Sequence, residues 1–141
     1  MDLPVSADTS SAAETEDLGR RFASVLGPGM RVVVSGEIGA GKTSFIRGAC
    51  RGLGIEAAIT SPTFTIARRY EDGALPVSHL DLHRLEGGFE DEDPGLLDGE
   101  FAAGRVTFVE WPQVAPLEWL APHRSVRIEH SGADTRRVTI E

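Results

Sequence analysis

The octet Gly36-Glu37-Ile38-Gly39-Ala40-Gly41-Lys42-Thr43 constrains this chain more than any other segment. A largely apolar run at residues 30–34 leads straight into it, which reads as a strand buried on both faces. Phe45, Ile46, Ala49, Cys50 and Leu53 then recur at helical intervals, and glycines at 52 and 54 mark the helix end. Strand, glycine-rich loop, helix is the setting that gives the pattern G-x-x-x-x-G-K-[ST] its meaning as a phosphate cradle. Lys42 is the only lysine among 14 basic residues; the others are all arginine. The loop thus holds a compact ammonium at a place where a planar guanidinium is a poor substitute.

Bulk properties narrow the class. At 141 residues the chain has the size of one domain with a real core. A net charge of -8 argues against broad binding to nucleic-acid phosphates, which needs basic surface. The single cysteine, Cys50, allows no internal disulfide and suits a reducing compartment. It is expected to pack as a small apolar residue. Neither a signal peptide nor a membrane helix is indicated, so a cytoplasmic location is expected.

Along the chain, residues 1–10 are expected to form a loose arm and residues 11–141 a single domain. Ser11 and Glu14 have capping-box spacing, and Leu18, Phe22, Val25 and Leu26 continue a first helix that glycines and a proline at 27–29 close. Strands are expected at 63–70 and 75–82, joined through the Asp72-Gly73 turn as an antiparallel hairpin. Residues 86–104 are acidic and lack clear periodicity. Residues 105–110 form an apolar strand ending in Glu110, and two late strands at 125–129 and 137–140 flank a turn-like segment. The pattern predicts a three-layer α/β domain with a mixed parallel and antiparallel sheet.

Within the octet, Gly36, Gly39 and Gly41 free the backbone so that successive N–H groups can face phosphate oxygens at a helix N-terminus. Lys42 is expected to reach the β- and γ-phosphates and Thr43 to bind Mg²⁺. Phosphoryl transfer also requires a carboxylate near the metal and a group that places water. Asp81 and Glu110 each end an apolar strand, and spacing leaves open which one touches the metal. His79-Leu80-Asp81-Leu82-His83 puts three possible ligands on one strand face, an incomplete set for zinc. Thr63, after Ser61-Pro62, is either a plain strand entry or a switch that senses the γ-phosphate. Trp111 is read foremost as core, with a nucleotide contact or a partner surface as alternatives.

Four blocks in order then resemble the TsaE family of bacterial P-loop ATPases. These are the octet, Ser61-Pro62-Thr63-Phe64-Thr65, His79-Leu80-Asp81-Leu82-His83-Arg84-Leu85, and Val109-Glu110-Trp111-Pro112. His83 stands where the family usually has tyrosine. The resemblance implies ATP bound by Glu37, Ile38, Gly39, Ala40, Gly41, Lys42 and Thr43. It implies Mg²⁺ held by Thr43 and Glu110, with Asp81 close to the phosphates and Lys42, Asp81 and Glu110 as the catalytic set. Further nucleotide contacts from Thr15, Thr63 and Arg136 are implied. So is a partnership with the TsaB and TsaD proteins in forming threonylcarbamoyladenosine in tRNA, with the transfer step left to the partner.

Rival readings are weaker. A small-molecule kinase needs an arginine-bearing lid and an acceptor domain, for which there is little room. A guanine-specific GTPase reads its base with Asn-Lys-x-Asp, and this chain has no asparagine and no second lysine. A nucleotide switch with no useful turnover is the remaining alternative.

Overall fold

The computed structural model describes residues 1–37, 39–60, 67–83, 104–114 and 120–141. Its elements in order are β1 (Val5–Thr9), α1 (Ala12–Phe22), β2 (Arg31–Gly36), α2 (Lys42–Gly52), β3 (Ala67–Tyr70), β4 (Val77–Asp81), β5 (Val106–Glu110), β6 (Arg124–His130) and β7 (Arg136–Ile140). The strands form one seven-stranded sheet in the order β1-β7-β6-β2-β5-β4-β3. The central strands β6, β2, β5 and β4 run parallel, while β3, β7 and β1 pair antiparallel at the flanks. This is the expected α/β class with a mixed sheet, including the hairpin of β3 and β4.

Side chains of a strand alternate between faces, and the register sorts them. Val32 and Val34 of β2 share a face with their partners Phe108 and Glu110, and Glu110 in turn faces Asp81. On that face Val32, Val34, Val77 and Phe108 join the main core with Leu18 and Phe22 of α1 and Phe45, Ile46 and Ala49 of α2. The Phe22 and Phe45 rings meet at 5.4 Å between centroids. Val33, Leu80 and Val109 lie on the other face and are buried too, so the sheet is covered on both sides. Among the described residues no helix is long and apolar enough to cross a membrane.

Two expectations need correction. Residues 1–10 are not a loose arm, because residues 5–9 pair with β7 from Val5↔Ile140 to Thr9↔Arg136. Val5 and Ala7 pack against the core, and Arg137 Nε donates to Asp8 Oδ1 at 2.7 Å. Five residues of modest β-propensity carry little local signal, and their partner lies at the far end of the chain. The first helix also stops at Phe22, with a 3₁₀ turn over Ala23–Val25. There the Ser24 hydroxyl donates to the Arg21 carbonyl at 2.9 Å, a side-chain bond that competes with a further helical turn.

The start of α1 is close to the expected box. Ser11 Oγ accepts from the Glu14 N–H at 3.1 Å, but Glu14 Oε2 accepts from the N–H of Ser10 and not of Ser11.

Candidate functional site

In an open α/β sheet, ligands bind beyond the carboxyl ends of parallel strands. Three adjacent strands here end in the residues singled out from sequence. β2 runs into the 36–43 loop, β5 ends in Glu110 and β4 ends in Asp81, with Glu110 and Asp81 in direct register. The loop turns tightly because Gly36, Gly39 and Gly41 all take backbone conformations other residues avoid. Gly36 has φ 152°, and a Cβ there would strike the carbonyl oxygen of Ile128 on β6. Gly41 has φ 109° and forms the N-cap of α2, so the helix begins at Lys42 with its amide end towards the loop.

A cavity of about 450 Å³ opens at this point, lined by Gly39, Gly41, Lys42, Thr43, Ser44, Asp81, His83, Glu110 and Trp111. The Lys42 ammonium donates to the carbonyl oxygens of Gly36 at 2.6 Å and Glu37 at 3.1 Å. It also lies 4.9 Å from the centre of the Trp111 ring. Burial lowers the Lys42 pKa from the ordinary lysine value, against the pull of the Glu110 and Asp81 carboxylates, which raises it. Asp81 shifts the other way: burial raises its pKa, the N–H it accepts from His83 opposes this, and the nearby Glu110 charge adds to the rise.

Glu110 is almost fully buried, and its Oε2 lies 2.5 Å from Nε2 of the fully buried His79. His79 therefore does not share a metal set with Asp81 and His83. The His83 ring instead lies against Trp111, 4.6 Å between centroids. Among the described residues no group of three or more His, Cys, Asp or Glu side chains gathers to hold a metal. Thr43, Asp81 and Glu110 do place hydroxyl and carboxylate oxygens around one cavity, a hard donor set that fits Mg²⁺ completed by phosphate oxygens.

A second cavity of about 400 Å³ lies on the other side of the loop. It shares Gly39, Gly41 and Ser44 with the first and adds Ala40, Thr15 and Arg136 with residues 10–12. Thr15 and Arg136, distant in sequence, thus meet at the loop. The Thr15 hydroxyl is engaged within the protein, bonding Thr9 Oγ1 at 2.7 Å and the Ser11 carbonyl at 3.2 Å. Glu37 is exposed and contributes its carbonyl to Lys42. Ile38 and Thr63 fall outside the described residues, as do Ser61, Pro62 and most of 86–104.

Trp111 is not a core residue. It is partly exposed at the cavity and has φ 57°, a left-handed conformation that is costly for a bulky side chain. Ser44 and the link from His79 to Glu110 were not read from sequence as site features. The prior signals for His79 were its alternation with Asp81 on one strand and its place at the head of the block at residues 79–85.

A family model described as threonylcarbamoyl adenosine biosynthesis protein TsaE matches residues 9–139. The chain is 37% identical over 131 residues to the tRNA threonylcarbamoyladenosine biosynthesis protein TsaE of Bacillus subtilis, spanning 93% of this chain and 81% of that protein. It is 40% identical to the TsaE of Streptomyces coelicolor, spanning 88% of this chain and 87% of that one. The crystal structure of Bacillus subtilis YdiB superposes with a TM-score of 0.74 at 33% identity, over 99% of this chain and 86% of that one. With its loop, strand-end acids and sheet order arranged in this way, the chain belongs to the TsaE family of threonylcarbamoyladenosine biosynthesis proteins.

Proposed function

We propose that this chain binds ATP and Mg²⁺ at the 36–43 loop, hydrolyses the ATP, and by doing so serves a TsaB–TsaD complex that forms threonylcarbamoyladenosine in tRNA. The observation that carries the reading is the convergence of Lys42, Thr43, Asp81 and Glu110 on one cavity at the ends of adjacent parallel strands. When bound, ATP supplies the phosphoanhydride that is cleaved and Mg²⁺ neutralises charge on its phosphates. The loop amides and the start of α2 hold phosphate oxygens. Lys42 exchanges its bonds to the Gly36 and Glu37 carbonyls for bonds to phosphate. Thr43 and Glu110 supply oxygens to the metal. Asp81 orients the attacking water, and its raised pKa makes it a stronger proton acceptor than an ordinary aspartate once ionised. Thr15 and Arg136 contact the nucleotide from the second cavity. The carbamoyl transfer itself belongs to the partner, and contact with tRNA is made through the complex, which accords with the acidic charge of this chain.

Turnover is expected to be slow in the isolated protein and to require Mg²⁺. Lys42→Ala should reduce it by about 10²–10³-fold or abolish it. Equal ATP hydrolysis by the variant and the parent rules out the site. The pathway is tested separately, by reconstituting tRNA modification from TsaB, TsaD and tRNA with and without this chain. Modified tRNA that accumulates over many cycles without it, as fast as with it, excludes the accessory role.

A further inference from the structure

Behind the two strand-end acids lies a side chain with no place in the reading above. His79 sits two residues before Asp81 on β4 and on the same face, and in register Asp81 is paired with Glu110. The imidazole is fully buried and reaches diagonally across to Glu110, with 2.5 Å between Nε2 and Oε2. Its other nitrogen, Nδ1, is buried and has no partner among the described residues. As a core filler an imidazole here is a poor choice, because a buried polar atom without a partner costs stability that an apolar side chain avoids. The bond to Glu110 is what the ring achieves.

That bond has a use. The last torsion of a glutamate is broad, so an unanchored carboxylate samples many orientations. Glu110 also faces the like charge of Asp81 across the register, which pushes the two groups apart. We infer that His79 is a positioning residue: its Nε2–H, donated to Oε2, fixes the plane of the Glu110 carboxylate so that it meets a divalent cation already aligned. This rests on the proposed role of Glu110 as a metal ligand. The arrangement follows the general rule that a ligand side chain is oriented by a partner of its own.

Three variants separate positioning from mere packing. In His79→Gln the amide nitrogen falls where Nε2 lies, in His79→Asn it falls short, and His79→Leu removes the donor while keeping bulk. Mn²⁺ binding to the ADP-loaded protein is measured by the loss of the free-ion electron paramagnetic signal. Metal-free ADP binding is measured by calorimetry, and folding by circular dichroism. His79→Asn and His79→Leu should weaken Mn²⁺ binding by about 10–100-fold. His79→Gln should keep most of the parent's affinity, and metal-free ADP binding should be unchanged in all three. If the leucine variant does not fold, the contrast between glutamine and asparagine decides. Parent-like Mn²⁺ affinity in the asparagine variant overturns the inference, and so does glutamine binding no better than asparagine. A parent protein that binds ADP but no Mn²⁺ overturns the metal role of Glu110 itself, and this inference falls with it.

Discussion

At the scale of single residues, the site is a balance of opposed charges in a half-closed space. Lys42 is held between carbonyl oxygens and an aromatic face, and Asp81 and Glu110 lie side by side near it. Asp81 is the strained member. Its folded pKa lies above its unfolded value, so the folded state binds the proton more tightly. Stability then falls as pH rises through the folded pKa and is regained as pH drops towards the ordinary carboxylate range. Asp81→Asn, which keeps an oxygen for the His83 N–H, is therefore expected to be more stable than the parent at neutral pH without metal. The advantage should shrink steadily as the buffer is acidified. Thermal melts from pH 7 to pH 4 check both parts, and a gap that widens on acidification contradicts the assigned direction. Lys42, Asp81 and Glu110 were all legible in sequence, because each stands at a strand end or in a loop with a known spacing. The position of Trp111 was not. Its left-handed backbone depends on what surrounds it, and no local pattern announces it.

At the scale of elements, the loop depends on how closely α1 and α2 approach. A Cβ on Gly48 would land on the Glu16 carbonyl oxygen, and one on Gly19 on the Phe45 carbonyl oxygen. The two helix backbones therefore meet at glycines, which lets Thr15 of α1 reach the 36–43 loop beside Gly41. In an exposed helix, Gly→Ala gains about 1 kcal/mol from propensity. Here the steric cost prevails, because backbone must move to make room. Gly48→Ala is expected to lose about 1–3 kcal/mol net, read from urea unfolding. A more stable variant contradicts the close approach. The helices themselves were visible as apolar periodicity in sequence. Their glycine contact was not, since a glycine inside a helix has the same letter whether it is exposed or pressed against a neighbour.

At the scale of the whole molecule, one ligand site at the sheet's carboxyl edge should couple nucleotide binding to the stability of the fold. A ligand at one hundred times its dissociation constant adds about 2.7 kcal/mol. For a chain of this size that corresponds to a rise in melting temperature of roughly 5–10 °C. ATP with Mg²⁺ should produce such a rise in the parent and not in Lys42→Ala. GTP should produce less, as the chain lacks the Asn-Lys-x-Asp segment with which GTPases read guanine. A shift that survives in Lys42→Ala places the nucleotide elsewhere.

The sequence by itself determined the α/β class, the strand–loop–helix at 31–52, the hairpin of β3 and β4, and the acids at two strand ends. All of these rest on local periodicity, on glycine spacing or on strand-end position. Tertiary structure alone decided that residues 5–9 are a strand, since a short strand exists only through its partner and that partner is β7. It also decided that Thr15 and Arg136 share a cavity, and that the His79 ring bonds to the Glu110 carboxylate. The physical reason is the same in each case: pairing across the sheet and packing between helices join residues far apart in the chain. Local composition carries no record of those meetings.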